Sequence, residues 1–431
     1  MDSVKINPAK LNGEIHIPPS KSLSHRAIIC AGLSDGVSVI DNLMFSDDIE
    51  ATLNGMKSLG TDIQRTEIGP HQDIYCVTLK GNSKVRVMNA TIDCRESGST
   101  LRFLIPFAGI AGEKITFTGR GRLSERPLDA YYEIFDQQNI QYNNNGRLPL
   151  EVRGTLKPGT FKIKGDISSQ FITGLMFVLP LLDGASRIEI TTGLESKGYV
   201  DLTIDILKKF GIEIENNDYT GFYIKGNQKY RSRYYRVEGD YSQAAFWIVA
   251  GSLGGRIKCI DMNTDSLQGD KAILDIVKEM GAILEIGEDF VKIKESRTHG
   301  TVIDASQYPD LVPIIAVLGA LSSGTTKIIN AERLRIKESD RLKAISTELN
   351  KLGANVRELE DGLIIEGKEE LKGGTVDSWN DHRIAMALAV ASIRCTGPVI
   401  ITGSGAVKKS YPQFWRDFKK LGGKIHERYM G

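Results

Sequence analysis

Six phrases of one pattern recur along the 431-residue chain, and their spacing limits what it can fold into. Each phrase is a helix tail, with apolar positions around charged ones, closed by Gly or, once, Asn. They read MKSLG at 56–60, FDQQN at 135–139, LKKFG at 207–211, VKEMG at 277–281, LNKLG at 349–353 and FKKLG at 418–422. Their last positions lie 79, 72, 70, 72 and 69 residues apart. Gly and Asn are the residue types that accept the left-handed conformation closing a helix. A β-type segment follows each cap, as in Ile212-Glu213-Ile214. Regular spacing of this kind marks a repeat architecture.

A second landmark keeps step with the first. A small-residue helix ends in Gly, a strand follows, then a polar loop. Gly36 precedes 37–40, Gly112 precedes 115–117, Gly184 precedes 187–190, Gly324 precedes 327–329 and Gly397 precedes 399–401. Each unit therefore reads helix, strand, helix, then two strands. Six units split most simply into two domains of three. The first unit's first helix starts near Ser20 and the fourth unit's near Ser242, which places a boundary at about Tyr234. The expected domains are 20–234, and 1–19 together with 235–431. The strand at 14–17 then belongs with the later three units, so the chain crosses between domains near 19 and near 234. Two crossings suit a hinge, and hinge closure around a ligand is a standard use of such geometry.

Composition narrows the function. Apolar residues make up 41% and charged residues 25%, ordinary values for a globular protein that buries a large core. The net charge of +1 supplies no whole-molecule field to gather nucleic acid or an anionic membrane. Five scattered cysteines (Cys30, Cys76, Cys94, Cys259, Cys395) include no C-x-x-C pair and read as small buried hydrophobes. The longest apolar run, 311–321, contains Pro313 and is far short of the ~20 residues that span a bilayer. A cytoplasmic protein without membrane association is expected. Gly119-x-Gly121-x-x-Ser124 lacks the third Gly of a dinucleotide fingerprint. Gly319-x-x-x-x-Gly324 runs into Thr325-Thr326-Lys327, not the Gly-Lys-Ser/Thr of a P-loop. The six histidines show no metal-ligand spacing, so neither metal nor cofactor is expected.

Polar strings gather where each unit's first helix begins: PSKSLSHR at 19–26, ESGSTLR at 96–102, DISSQF at 166–171, GDYSQAAF at 239–246, DASQYPD at 304–310 and DSWNDHR at 377–383. One Ser, Asp or Asn per helix is a cap. Capping does not account for Lys21 with Arg26, for Ser168-Ser169-Gln170, or for Asp381-His382-Arg383. The loops before the second helices are also polar: RGRLSERP at 120–127, ESKGY at 195–199, RIKESDR at 335–341 and VKKSYP at 407–412. Lysine at a helix start opposes the macrodipole. Lys21, Lys337 and Lys409 at such points therefore indicate an anion site, since helix N-termini and cations both hold phosphate or carboxylate.

Together these strings resemble the 5-enolpyruvylshikimate-3-phosphate synthase family, the 3-phosphoshikimate 1-carboxyvinyltransferases, over essentially the whole chain. The resemblance rests on P-x-S-K-S-x-S-x-R at 18–26, G-S-T-L-R at 98–102, R-L-S-E-R-P at 122–127, S-S-Q-F at 168–171, S-K-x-Y at 196–199, K-E-S-D-R at 337–341 and N-D-H-R-x-A-M at 380–386. It implies an α/β (α+β) architecture: a two-domain inside-out α/β barrel of six β-α-β-α-β-β repeats, three per domain. It implies transfer of a carboxyvinyl group from phosphoenolpyruvate to the 5-hydroxyl of shikimate 3-phosphate, with no cofactor, in a monomer. The resemblance puts the shikimate 3-phosphate phosphate on Ser168, Ser169 and Ser196, with Lys21, Ser22, Arg26 and Gln170 also on that substrate. It puts phosphoenolpyruvate against Lys21, Gly98, Arg122, Gln170, Arg341, Arg383 and Lys409. Asp310 is the implied base for the 5-hydroxyl, Lys337 holds ring hydroxyls with it, and Glu338 handles the proton at the methylene carbon; Lys21 completes the catalytic set.

Where many family members have Asn-Ala-Gly-Thr, this chain has Glu96-Ser97-Gly98-Ser99. A carboxylate beside an anion pocket repels phosphate unless a cation neutralises it. Two other readings are open to such a chain. The sister enzyme acting on UDP-N-acetylglucosamine typically carries a Cys just before its Arg-Pro, and 120–126 holds none. A nucleic-acid-end enzyme on a related repeat fold fits poorly with a net charge of +1 and 7% aromatic residues. Anion-binding residues in both halves imply that like charges hold an empty cleft open and a bound polyanion relieves the repulsion. Saturating shikimate 3-phosphate should therefore lower the radius of gyration in small-angle scattering, and an unchanged radius would count against the hinge.

Overall fold

All six cap positions adopt left-handed backbone: Gly60 (φ +97°), Asn139 (+55°), Gly211 (+85°), Gly281 (+94°), Gly353 (+89°) and Gly422 (+100°). The structure is a computed structural model that describes residues 3–67, 73–82, 84–144 and 146–428. Each cap leads from a helix into the edge strand of a small sheet. Among the described residues there are six four-stranded sheets. The second unit shows the plan: Thr91–Asp93 pairs in parallel with Ile115–Thr118, and Leu150–Arg153 lies antiparallel between Ile115–Thr118 and Gln141–Asn143. The crossover between the parallel strands is a helix, as parallel pairing requires.

Three sheets borrow a strand from a distant part of the chain. Leu11–His16 pairs with Gly255–Ile260 and opens the fourth unit. Ser3–Asn7 lies between Val399–Thr402 and Lys424–Arg428 and completes the sixth. Tyr234–Arg236 pairs in parallel with Gly36–Leu43 and opens the first. The chain divides into two compact units, Pro19–Val237 (the continuous unit) and Met1–Pro18 with Glu238–Gly431 (the two-segment unit). The boundary thus falls at 237/238, three residues beyond Tyr234, because Tyr234–Arg236 is bound into the first unit's sheet.

Twelve repeat helices follow in chain order: α1 Lys21–Leu33, α2 Asp47–Ser58, α3 Gly98–Leu104, α4 Asp129–Gln138, α5 Ser169–Val178, α6 Lys197–Lys209, α7 Tyr241–Gly254, α8 Ile273–Glu279, α9 Val312–Ala320, α10 Arg341–Lys351, α11 His382–Ala391 and α12 Phe414–Lys420. The helices that start each unit are the most buried. Every residue of α7, α9 and α11 is buried, and these three pack on one another. A helix that is apolar all round belongs in a core. The sheets lie outside, with one face inward, as in Thr160–Ile163, where exposed and buried residues alternate. Helices inside and sheets outside leave one end of each inner helix, its N-terminus, as the place where polar side chains can gather.

The caps give a stability test. Gly353→Ala forces a Cβ into φ +89°, which should cost about 1 kcal/mol. Asn139→Gly should cost nothing, since Asn139 already sits at φ +55°. Denaturant unfolding checks both; equal losses would mean that the caps do not act through backbone conformation.

Candidate functional site

The six first helices present their functional residues on one rung. Ser20, Ser97, Ser168, Asp240 and Asp381 are side-chain N-caps of α1, α3, α5, α7 and α11. The fifth unit begins with a tight turn, Pro309–Leu311, capped at Tyr308 and leading into α9. Two residues past the cap stand Ser22, Ser99 and Gln170 in the continuous unit, and Ser242, Asp310 and Arg383 in the two-segment unit. Small neutral groups occupy the rung in one unit and charged groups dominate it in the other.

In the two-segment unit, Arg341 at the start of α10 is the hub. Its Nη1 donates to Asp310 Oδ1 at 2.9 Å, its Nη2 to Glu338 Oε2 at 2.8 Å and its Nε to Asp381 Oδ2 at 2.8 Å. The side chain is 1% exposed. Arg383 Nη2 reaches Asp310 Oδ2 at 2.7 Å and Ser242 Oγ at 3.1 Å. Asp381 also accepts from Ser339 Oγ at 3.0 Å and caps the Arg383 backbone N–H at 2.9 Å. Lys409 is buried and donates to the Asn380 carbonyl at 2.6 Å. Burial would raise the Asp310 carboxyl, but Arg383, Arg341 and Lys337 outweigh it and hold Asp310 far below the usual carboxylate range. The same contest, with Arg341 as the strongest opposing charge, lowers Asp381. Both are ionised at neutral pH.

The continuous unit holds a more neutral constellation. Lys21 is paired with Asp48 of α2 at 2.8 Å. Gln170 is clamped on both sides: Arg102 Nη1 donates to its Oε1 and its Nε2 donates to Ser99 Oγ, each at 2.9 Å. Arg102 is itself buried, over the Phe171 ring at 4.8 Å. Ser168, Ser169 and Ser196 are buried at the starts of α5 and α6, and Ser196 takes φ +55°. The loops leading to them are tied together, Glu195 N–H to the Gly165 carbonyl at 3.2 Å. His25, kept neutral by burial and then by the charges of Lys21 and Arg26, anchors a hydroxyl chain. Its Nδ1 meets Thr52 at 2.7 Å, Thr52 meets Thr100 at 2.7 Å, and Thr100 donates to Ser97 at 2.8 Å.

Several sequence expectations shift. Arg122 lies on the exposed turn Gly121–Glu125, 3.9 Å from Glu125, with its side chain 44% exposed. The guanidinium beside Gly98 is that of Arg126: a Cβ at Gly98 would fall 2.5 Å from Arg126 Nη1. Arg126 sits in the same R-L-S-E-R-P string, so the motif was visible but the choice between its arginines was not. Arg26 is buried and bonds Thr203 Oγ1 at 2.8 Å and the Tyr199 carbonyl at 3.1 Å, which fastens α1 to α6. Burial lowers its pKa to about 10, so it stays charged at neutral pH. Ser22 and Lys337 are half-buried. Glu96 turns its carboxylate onto Gly121, where a Cβ would lie 2.7 Å from Oε2. Asp48, Ser99, Arg102 and Arg126 in the continuous unit, and Ser242 in the two-segment unit, come beside candidate residues only through the fold. Cys30, Cys94, Cys259 and Cys395 are buried and Cys76 is partly so. No helix of the described residues is long and apolar enough to cross a membrane.

The EPSP synthase family model, 3-phosphoshikimate 1-carboxyvinyltransferase, matches residues 6–418. The chain belongs to this family. The 3-phosphoshikimate 1-carboxyvinyltransferase of Clostridium novyi (strain NT) is 65% identical to it over 434 aligned residues, covering 100% of both chains. That of Clostridium acetobutylicum is 60% identical, again with 100% of both chains covered. The EPSP synthase structure from Acinetobacter baumannii superposes with a TM-score of 0.82 at 23% identity, covering 99% of this chain and 100% of that one. This last likeness establishes the fold, a two-domain α/β architecture.

The buried carboxylates make a pH prediction. A carboxyl whose pKa is lowered by folding stabilises the fold above its ordinary value, 3.8 for Asp381, and that stability is lost as pH falls through the lowered folded value. Asp381→Asn should lower the melting temperature strongly at about pH 7 and much less at about pH 3, so the gap to the parent narrows on acidification. A gap independent of pH would show that Asp381 contributes no charge-dependent stability.

Proposed function

We propose that the chain transfers the carboxyvinyl group of phosphoenolpyruvate to the 5-hydroxyl of shikimate 3-phosphate, releasing phosphate, in aromatic amino acid biosynthesis. The observation that carries this reading is the family match across residues 6–418. The reading assigns the substrate phosphate to Ser168, Ser169 and Ser196, which supply hydroxyls and helix N-termini suited to a phosphate. Gln170, fixed by Arg102 and Ser99, lies on the next rung. Lys21 and Ser22 open α1, Arg26 is bonded at the start of α6, and Lys337 and Asp310 are assigned the ring hydroxyls. Phosphoenolpyruvate is assigned Lys21, Gly98, Gln170, Arg341, Arg383 and Lys409, with Arg126 the better-placed arginine of the R-L-S-E-R-P string.

Asp310 carries the hardest requirement. A general base works best with a pKa near the operating pH. Between Arg341 and Arg383 its carboxylate is far too stabilised to be a good base. An arriving dianion would compete for those two guanidiniums. Each lost contact raises the basicity of Asp310, so the base becomes competent as phosphoenolpyruvate is bound. The 5-hydroxyl oxygen then bonds to the central carbon of the enol, its proton passing to Asp310. The methylene carbon must gain a proton in the same stage, and the assigned donor is Glu338, which enters this stage protonated once Arg341, 2.8 Å away in the structure, turns to the ligand. The tetrahedral adduct returns a methyl proton to Glu338 and expels phosphate, with the leaving charge met by the fixed cations.

Phosphate release from phosphoenolpyruvate, measured with and without shikimate 3-phosphate, tests the assignment; release independent of the acceptor would sink it. Asp310→Asn should retain substrate binding and lose about 10²- to 10⁴-fold in turnover. Turnover within a few-fold of the parent would transfer the role of base to Glu338. Gly98→Ala should push the Arg126 guanidinium away, since the methyl has no room beside it. The inhibition constant for glyphosate, divided by the Michaelis constant for phosphoenolpyruvate, should rise in the variant, because a larger occupant meets the methyl first. An unchanged ratio with a lower melting temperature would mean that Gly98 serves only the turn.

A further inference from the structure

The segment Ser378-Trp379-Asn380, just before α11, holds two successive residues in the left-handed region: Trp379 at φ +54° and Asn380 at φ +52°. Asn tolerates that region; a bulky Trp is rarely found there. Such a conformation persists only where the surroundings enforce it. Here the enforcement comes from Glu348, two turns along α10 from Arg341. The Glu348 side chain is 1% exposed. Its Oε1 accepts the Trp379 indole N–H at 2.7 Å, and its Oε2 accepts the Asp377 backbone N–H at 3.0 Å. Lys351 Nζ bonds both oxygens at 2.9 Å. Trp379 N–H in turn reaches Asp377 Oδ1 at 2.6 Å, and Ser378 Oγ donates to the Gly403 carbonyl at 2.9 Å.

The consequence lies one residue further on. The left-handed turn aims the Asn380 carbonyl at Lys409 Nζ, 2.6 Å away. It also delivers Asp381 to Arg341 Nε and to the Arg383 backbone N–H, 2.8 and 2.9 Å away. Helix α10 thus grips the turn twice, with Arg341 at its start and Glu348 further along. We propose that Glu348 and Trp379 are positioning residues that set Lys409, Arg341 and Arg383 for phosphoenolpyruvate; this rests on the reaction assigned above. Neither residue was singled out in the sequence, and neither touches the reacting groups. If the turn relaxed, the Asn380 carbonyl would rotate away from Lys409 and Asp381 would leave Arg341. The shikimate 3-phosphate serines, on α5 and α6, do not depend on this turn.

Glu348→Gln keeps the shape but gives one oxygen position to an amide N–H₂. That group then faces a donor, either the indole N–H or the Asp377 N–H. Trp379→Phe keeps the ring and removes only the indole donor. Steady-state phosphate release, with each substrate varied in turn, should show the Michaelis constant for phosphoenolpyruvate rising about tenfold in Glu348→Gln and somewhat less in Trp379→Phe, with that for shikimate 3-phosphate changed less than about twofold. A second readout is optical. Of the three tryptophans, Trp247 and Trp415 are buried in the core and Trp379 is half-buried. Phosphoenolpyruvate should change the parent's tryptophan emission, and Trp379→Phe should abolish that change. The proposal falls if the phosphoenolpyruvate constant stays put, or if both constants rise together, which is the mark of a merely structural role. Should Glu348→Gln fail to fold, Trp379→Phe decides. A parent without acceptor-dependent turnover would overturn the reaction assignment instead, and the emission titration would still decide whether the turn senses the ligand.

Discussion

Arg341 is buried and divided among three carboxylates, Asp310, Glu338 and Asp381. Almost everything else in the two-segment unit's polar cluster follows from that. A guanidinium out of water must find acceptors for its fork of donors. Of the acceptors it finds, Asp381 is buried and Asp310 and Glu338 are half-buried, and Arg383 and Lys337 add positive charge beside Asp310. A cluster of this kind is poor as a source of net stability, because desolvation consumes most of the Coulombic gain. Its value is in geometry and in reserve charge. Arg341 and Arg383 are each held in place by internal carboxylates, the kind of partner that an anionic ligand competes with.

The continuous unit solves a related problem with fewer charges. Its rung carries Ser22, Ser99 and Gln170, and its polar groups are helix starts and hydroxyls. The cations there are mostly committed to structure. Arg26 bolts α1 to α6, Arg102 clamps Gln170, and Lys21 is paired with Asp48. One repeat, copied six times, has thus been given a neutral hydrogen-bonding face in one unit and an ion-pair face in the other. The repeat can tolerate this because its core is elsewhere. The inner helices bury apolar side chains along their length, and only the first turn is left to carry polar function.

Much of the fold could be read from the chain because its punctuation is local. A left-handed cap needs Gly or Asn whatever the distant context, and Gly60, Asn139, Gly211, Gly281, Gly353 and Gly422 all take it. Strand exchange was legible only in part. The assignment of a strand at 14–17 to the later units followed from counting elements, and the fold has it at Leu11–His16, whereas Tyr234–Arg236 was too short to be seen and moved the boundary to 237/238. The site divides in the same way. Residues in dense polar strings, such as Lys21, Ser168, Ser169, Gln170, Asp310, Arg341 and Arg383, stood out against the apolar helices. Partners that act across the fold did not. Nothing in the chain marked Asp48 as the partner of Lys21 or Arg102 as the clamp on Gln170, and choosing Arg126 over Arg122 required knowing which side of the turn faces Gly98.

Glu348 shows why such residues escape a reading of the chain. In sequence it is one acid in LKAISTELNK, with Lys351 three residues on, and looks like an exposed helix pair. Its role depends on a loop thirty residues away that closes over it with an indole N–H and a backbone N–H. Nothing local distinguishes a carboxylate that meets water from one that meets a strained turn. The turn itself is equally silent, since Trp carries no preference for left-handed backbone and the conformation is imposed by tertiary contacts. The cations of the polar strings are conspicuous because they are many and clustered; the groups that hold them from afar are single and remote. Their effect is on the direction of a carbonyl and a carboxylate, a matter of ångströms that only the folded chain specifies.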